Sequence, residues 1–458
     1  MTERYDAIII GAGQAGPALA ARLNAAGQTV ALIERKLVGG TCVNVGCTPT
    51  KAMVASAYAA HIARRGNDYG VRLDGSVQVD LEAVMARKNG IVEASRKGLL
   101  SWIGSMERCT LIQGQAVFES PTSVRVGDRL LEGTRIFLNV GARPMSTVEG
   151  HEGVPALTST TILQLRELPQ HLAVVGGSFI GLEFAQMFRR FGSEVTVVER
   201  NPRIISRQDE DASSELQAIM EAEGIQFRTH ANCIQLHKSE RGITVSLDCE
   251  HGEPEVEASH VLLATGRKPN TDDLNLQAAG VQTDAHGFVV TDDHLRTASP
   301  TVWAMGDCNG RGAFTHTSWN DYEIVADNLL DGGTRSAADR IPAYALFSDP
   351  PLAHIGMTET EVRQGGKPAL IGKRPMSRVG RAVEKGESAG FMKVMVDAES
   401  RRILGATILG VGGDEAIHSL LTCMYSRQTY DLVARSVHIH PTVAELLPTI
   451  LQELKPLA

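Results

Sequence analysis

The chain has 458 residues, enough for two to four domains at roughly 100–200 residues each. Hydrophobic residues make up 43% and charged residues 21%, a globular balance that excludes a largely disordered chain. The 45 basic and 53 acidic residues leave a formal charge of −8, which argues against a nucleic-acid partner, because phosphate binding rests on clustered Lys and Arg.

The N-terminus reads MTERYDAIIIGAG. Its apolar run is short, stops at a glycine and lacks a signal-peptide layout, and no segment offers the roughly 18 apolar residues of a membrane span. A cytoplasmic protein with no membrane partner is the expectation. Residues 5–16, YDAIIIGAGQAG, predict a strand, a glycine turn and a helix; TVALIERK then closes a second strand on Glu34. In such a unit the first glycine permits a tight turn, the second admits a pyrophosphate and the third packs helix on sheet, while the acidic residue meets a ribose diol. Gly11, Gly13, Gly16 and Glu34 fill those places.

Next comes GGTCVNVGCTPTK, 39–51. Seven cysteines are too sparse for a secreted disulfide scaffold, and only Cys42 and Cys47 lie close together. On a regular helix five residues rise about 7.5 Å, beyond the roughly 4.4–6.8 Å of bonded cysteine Cα atoms. A bond therefore needs a bend, which Gly46 and Pro49 permit. The helix predicted in KAMVASAYAAHIARR places the pair near an N-terminus, where the dipole favours a thiolate. No second Cys or His pair has zinc spacing, so no metal site is expected.

The first pattern recurs as HLAVVGGSFIG with EVTVVERN. Gly11 to Gly176 and Glu34 to Glu199 share one offset of 165 residues (176 − 11 and 199 − 34). Gly176, Gly181 and Glu199 repeat the motif, with Ser178 at its middle glycine. Two dinucleotide sites follow. VEASHVLLATGRKPNT (256–271) predicts a strand and a turn, and SPTVWAMGDCNG (299–310) a short strand ending at Gly306-Asp307. From about residue 341, GFMKVMVDAES and RILGATILGVGG alternate as strands of an antiparallel sheet do, while DEAIHSLLTCMYSRQ and TVAELLPTILQEL have helical spacing. Arg374, Arg378 and Arg381 suggest a solvated basic loop. Cys109, Cys233, Cys249, Cys308 and Cys423 have no matched partner and suggest structural roles.

GAGQAG, GGTCVNVGCTPTK, GGSFIGLEFA, ATGRKPN, WAMGDC and HIHPTVAE occur in an order that resembles the pyridine nucleotide–disulfide oxidoreductases, across essentially the whole chain. The resemblance implies an α/β fold with two Rossmann-like domains and a C-terminal α+β dimerisation domain: FAD-binding parts at 1–145 and 271–340, an NAD(P)-binding part at 146–270 and dimerisation at 341–458. It implies a homodimer using FAD with NADH and/or NADPH. Cys47 takes the place of the flavin-side cysteine and Cys42 that of the interchange thiol. Lys51 and Glu183 match a pair beside the flavin, and Asp307 a ribityl contact. Phe179 matches an aromatic gate over the nicotinamide, although a plain core role stays open for it. Thr41, Gly114, Ile180 and Gly266 complete the implied cofactor contacts. His440 and Glu445 match a dyad that reaches the partner's disulfide; His438 does not precede the proline and fits no role.

The implied activity passes hydride from nicotinamide to FAD and electrons on to Cys42–Cys47, which reduces a disulfide, a metal ion or a small oxidant. The mercuric-reductase-like branch that includes the reactive-chlorine-resistance flavoproteins fits FTHTSWNDYEIVADNLL and DPPLAHIGMTE best. Dihydrolipoamide dehydrogenase, mercuric reductase lacking a C-terminal cysteine pair, and a non-enzymatic flavin-binding redox sensor are the alternatives; a soluble transhydrogenase is disfavoured by the cysteine pair.

Overall fold

The computed structural model describes residues 2–240, 242–248 and 253–457; Cys249 lies outside them. β1 (Thr2–Ile10) buries its last four residues, turns into α1 (Ala15–Ala25) and returns as β2 (Val30–Glu34), parallel to β1. There follow α2 (Gly40–Val45), α3 (Cys47–Arg64), α4 (Leu81–Gly104), β3 (Cys109–Gln113) and a meander of β4 (Ala116–Ser120), β5 (Ser123–Val126) and β6 (Arg129–Leu138). These strands form a sheet ordered β3-β2-β1-β6-β5-β4.

The chain leaves through β7 (Ala142–Pro144) and builds the second copy from β8 (Leu157–Thr158), β9 (His171–Val175), α5 (Phe179–Phe191), β10 (Glu194–Val198), α6 (Glu210–Ala222) and β11 (Gln226–Arg228). An antiparallel trio of β12 (Asn232–Ser239), β13 (Gly242–Asp248) and β14 (Glu255–Ala258) precedes β15 (His260–Leu263), which completes a parallel sheet ordered β11-β10-β9-β15-β8. The single strand expected from VEASHVLL is thus two. The chain changes sheet at Ser259, whose N–H donates to the His171 carbonyl. β16 (Arg267–Pro269) pairs with β7, so exit and return share one ribbon. β17 (Val302–Ala304) then joins the first sheet beside β6 and leads to α7 (Thr315–Leu330).

The C-terminal part contains β18 (Ala343–Leu346), β19 (Leu352–Gly356), α8 (Glu359–Gln364), β20 (Ala369–Pro375), α9 (Gly380–Glu384), β21 (Phe391–Asp397) and β22 (Ile403–Leu409). It ends with α10 (Gly413–Ala416), α11 (His418–Tyr425), α12 (Asp431–Ala434), α13 (Leu447–Gln452) and β23 (Lys455–Pro456). Its antiparallel sheet is ordered β18-β19-β22-β21-β20-β23. Among the described residues no helix is long and apolar enough to cross a membrane.

Two expectations need correction here. Alternation predicts one solvated face for β21, yet six of its seven residues are buried. Met392, Val394 and Val396 pack with Leu420, Leu447 and Ile450 from the helices. The opposite face meets the rest of the chain: Phe391 and Leu409 share a core with Phe184 and Phe188 of α5 and Met53 and Ala57 of α3. The basic stretch is also no loop. Arg374 lies in β20, Arg378 in a 3₁₀ turn and Arg381 in α9, and Arg374 donates to the Arg378 carbonyl.

On that inward face of β21 lies Lys393, wholly buried, with its Nζ 2.9 Å from Asp209, 2.8 Å from Asp211 and 3.1 Å from Glu359. An ammonium without water needs such partners. Asp209 also takes the backbone N–H groups of Glu359 and Thr360 at the start of α8. Burial pushes its carboxyl up, but those N–H groups and Lys393 pull harder and hold it at about 2.

Lys393→Ala strands buried carboxylates and should cost about 3–5 kcal/mol, read by denaturant unfolding. Because the Asp209 carboxyl lies below its ordinary 3.8 in the folded state, its contribution is full above that value and is lost as pH falls towards about 2. The variant should narrow that acid-dependent window, seen as a shallower slope of stability against pH.

Candidate active site

A cavity of about 1550 Å³ runs from the first glycine motif to the cysteine pair. Gly11, at the end of β1, has φ +107°, and a Cβ there would collide with the Asn139 carbonyl. Only glycine allows that close passage. Gly11, Gly13, Glu34, Thr41, Gly114 and Asp307 all line the cavity. Gly16 lies behind them, in the first turn of α1, where a Cβ would strike the Gly11 carbonyl. Glu34 accepts from the N–H groups of Ala12 (2.9 Å) and Lys36 (2.8 Å), which fixes its carboxylate at the strand end. Burial pushes the Asp307 carboxyl up, and the nearest cation, Arg267, stands 3.8 Å away. A carboxyl with so little internal compensation suits a ligand hydroxyl. An elongated cavity with a phosphate-sized glycine passage, a ribose-binding carboxylate and a second hydroxyl acceptor fits FAD.

At the far end the chain bends as the cysteine spacing requires. α2 stops at Val45, Gly46 adopts φ −134° and ψ −118°, and α3 starts at Cys47. A Cβ on Gly46 would lie 2.8 Å from the Thr41 carbonyl, so the break admits no larger residue without movement. Pro49 sits in the first turn of α3, where a missing N–H costs no helical bond. Cys42 and Cys47 are free thiols within hydrogen-bonding reach. Donation from the Cys42 thiol lowers the Cys47 pKa, helped by Thr315 and by the Lys51 charge; the same bond and burial raise that of Cys42. At neutral pH the pair is therefore polarised, with thiolate character on Cys47.

One turn beyond Cys47, Lys51 donates to both oxygens of Glu183, at 2.9 and 2.7 Å. Glu183 is buried on α5, and its Oε1 also accepts from the Phe347 N–H at 3.0 Å. The Lys51 ammonium lies 4.7 Å from the centre of the Phe347 ring. Phe179 and Ile180, at the start of α5, line the same cavity. Phe179 sets its ring edge-on to Phe314 and Tyr344, which stack on each other, and it also packs against the core that α5 shares with α3, so it is both a core residue and part of the cavity wall.

Beyond Phe179 and Ile180, the glycines and the acidic end of the second motif lie outside this lining. Gly176 has φ +118°, Gly181 packs under it, and Glu199 accepts from Gly177 N–H at 2.7 Å and Asn201 N–H at 2.8 Å. Gly266 lies at the turn between β15 and β16, with its carbonyl accepting from Met145. His440 and Glu445 come together, Nδ1 to Oε2 at 2.9 Å, but not beside the cysteines of their own chain; the His440 side chain is 81% exposed. Cys308 and Cys423 are buried, Cys109 is half-buried and Cys233 is exposed.

Sequence reasoning missed several residues. Thr315, first in α7, lies 3.3 Å from the Cys47 sulfur. Asn139 donates to the Gly11 carbonyl at 3.2 Å. Phe314, Tyr344 and Phe347 wall the cavity. FTHTSW drew attention only as a mark of kinship; no spacing in it points at a cysteine some 270 residues earlier.

Residues 5–321 match the family described as pyridine nucleotide-disulphide oxidoreductase, and residues 342–450 match its dimerisation domain. The chain is 35% identical to the probable pyridine nucleotide-disulfide oxidoreductase RclA of Escherichia coli, over 99% of this chain and all of that one. It is 32% identical to a mercuric reductase of Streptomyces lividans, over 97% and 94% of the two. A solved structure, the HOCl-induced flavoprotein disulfide reductase RclA from Escherichia coli, superposes with a TM-score of 0.89 at 34% identity, covering 98% of this chain and 99% of that one.

Thr315→Val removes a hydrogen-bonding group from the Cys47 sulfur. The Cys47 pKa should rise, so alkylation of the reduced Cys42→Ser, Thr315→Val protein should need higher pH than that of Cys42→Ser alone.

Proposed function

The chain belongs to the pyridine nucleotide-disulphide oxidoreductases, and on that footing we propose that it carries electrons from NAD(P)H through FAD to the Cys42–Cys47 pair and on to a small oxidant. It is a flavoprotein disulfide reductase, from a family that uses FAD and NAD(P)H. The observation that carries the finer reading is the polarised cysteine pair at the end of the cavity, next to Lys51–Glu183.

When bound, FAD supplies the two-electron relay between nicotinamide and sulfur. Gly11 and Gly13 would seat its pyrophosphate, with Gly16 letting α1 pack close behind them, Glu34 would hold its ribose and Asp307 its ribityl chain, with Thr41 and Gly114 along the way. Gly176, Ile180, Gly181, Glu199 and Gly266 would hold the nicotinamide dinucleotide, and Phe179 would cover its entry. Cys47, held towards its thiolate by Cys42, Thr315 and Lys51, would be the sulfur on the flavin side. Cys42 is the attacking sulfur: it displaces a leaving group from the oxidant, and Cys47 then attacks Cys42, restoring the disulfide. With hypothiocyanous acid the products are thiocyanate and water, and one nicotinamide is oxidised per oxidant.

Cys42 holds its proton tightly, so the attack needs a base. We place His440 of the partner subunit there, oriented by Glu445, since within one chain this dyad is exposed beside Val437 and Ile439, which are 100% and 79% exposed. A homodimer follows, in keeping with the matched dimerisation domain. Mercury(II) is the weaker substrate choice, because among the described cysteines only Cys42 and Cys47 line the cavity. The kinship with RclA supports a reactive-oxidant acceptor. The deciding experiment is a panel of acceptors with purified enzyme and NADH: hypothiocyanous acid, copper(II), mercury(II), lipoamide and glutathione disulfide. Turnover with hypothiocyanous acid should exceed that with the two disulfides; lipoamide as the best acceptor would refute the oxidant assignment.

Cys42→Ser should show long-wavelength thiolate–flavin absorption without reduction, and Cys47→Ser should lack it. Both should keep flavin and lose most acceptor turnover. The opposite optical pattern reverses the two roles.

NADH should be preferred. The Glu199 carboxylate repels a 2′-phosphate, and Arg203, close to it in sequence, is engaged with the Gln208 carbonyl at 3.2 Å. The ratio of kcat/KM for the two nucleotides measures this, and a preference for NADPH above about tenfold, roughly 1.4 kcal/mol, overturns it.

A further inference from the structure

The side chains of Glu183, Gln186 and Arg190 follow one another along one face of α5, and all three are buried. They meet one short piece of chain between β18 and β19. Glu183 accepts from Phe347 N–H at 3.0 Å. Gln186 grips the backbone of Asp349 from both sides: its Oε1 accepts the N–H at 2.8 Å and its Nε2 donates to the carbonyl at 2.8 Å. Arg190 reaches the Asp349 carboxylate at 2.7 Å. Glu223, at the C-terminal end of α6, closes the network. It accepts from Gln186 at 2.9 Å and from both sides of the Arg190 fork at 2.8 and 2.7 Å. The redox helix joins in, since Arg64 near the end of α3 donates to the Arg190 carbonyl at 2.5 Å.

A carboxamide can accept the N–H through its oxygen and donate to the C=O of the same residue through its nitrogen, which an aliphatic side chain of the same size cannot. The purpose of so exact a grip is visible one turn earlier. If segment 347–349 moved away, Glu183 Oε1 would lose its backbone donor. The carboxylate would swing towards Lys51, its other partner, and draw the ammonium off its place beside Cys47.

We propose that Gln186 and Arg190 are positioning residues: by clamping segment 347–349 they hold Glu183, and through it Lys51, in register with the Cys47 sulfur and the flavin site. The inference rests on the assignment of Cys47 and Lys51 made above.

Gln186→Leu keeps the volume and removes the clamp. Thr358→Ala, which removes the N-cap of α8, is a comparator that lowers stability away from the site. Each purified holoenzyme is reduced by two electrons, its thiolate–flavin absorption recorded, and its kinetics measured with the best acceptor. In Gln186→Leu the absorption band should weaken, and kcat should fall about tenfold while the KM for the nicotinamide stays within about twofold. Arg190→Lys, which keeps the charge but loses the fork, should give the same change in smaller measure and serves if Gln186→Leu fails to fold. Thr358→Ala should lower the melting temperature and leave the band intact. A normal band and kcat in folded Gln186→Leu, or in Arg190→Lys where the first does not fold, overturns the proposal alone. An equal spectral loss in Thr358→Ala also overturns it, because general loosening would then suffice. A wild-type enzyme with no such band overturns the assignment of the site and this inference with it.

Discussion

A carboxylate taken out of water must be matched by donors, or it takes up a proton or unfolds its surroundings. Glu183 meets that demand with groups from separate parts of the chain: the Lys51 ammonium from α3 and the Phe347 N–H from the start of the C-terminal sheet. The residue itself belongs to the second nucleotide unit. One buried charge thus requires three distant stretches to arrive together, and the cavity that holds the chemistry is the space their meeting leaves. The common apolar core of α3, α5, β21 and β22 supports the same junction.

The electrostatics of the cysteines follow from placement rather than from any unusual residue. Two short-range facts separate them: Cys47 opens a helix of 18 residues and receives hydrogen bonds, whereas Cys42 gives one and is partly enclosed. The Gly46 break makes the asymmetry possible, because on one continuous helix the sulfurs would point to different faces. Thr315, arriving from the first residue of α7, adds a contact from the opposite side of the cavity.

The local logic of the fold was readable from the chain. Gly11, Glu34, Gly176 and Glu199 carry a pattern whose spacing is dictated by a strand, a turn and a helix, so the two parallel units follow from short-range rules. The cysteine bend was legible for the same reason. Contacts made between units were not. Asn139 and Phe347, just past the ends of β6 and β18, and Thr315, at the start of α7, reach the site from places far away in sequence, and no periodicity marks them. Nor did alternation report the true surroundings of β21, since FMKVMV looks alike whether one face meets water or another domain. Lys393 was the hidden clue: a lysine between valines and methionines in a strand signals an acidic partner outside the sheet.

That strand bears on how such proteins can be rearranged by recombination. The C-terminal sheet looks like a separable cassette, yet its inward face carries a cation two of whose three carboxylate partners, Asp209 and Asp211, belong to the second nucleotide unit. A chimera that imports this sheet from a relative brings Lys393's equivalent into a pocket built by the host. Successful exchanges must therefore either transfer the acidic pair together with the lysine or replace all three with apolar residues. The boundary along which this architecture can be cut and rejoined lies ahead of Asp209, not in the gap before β18.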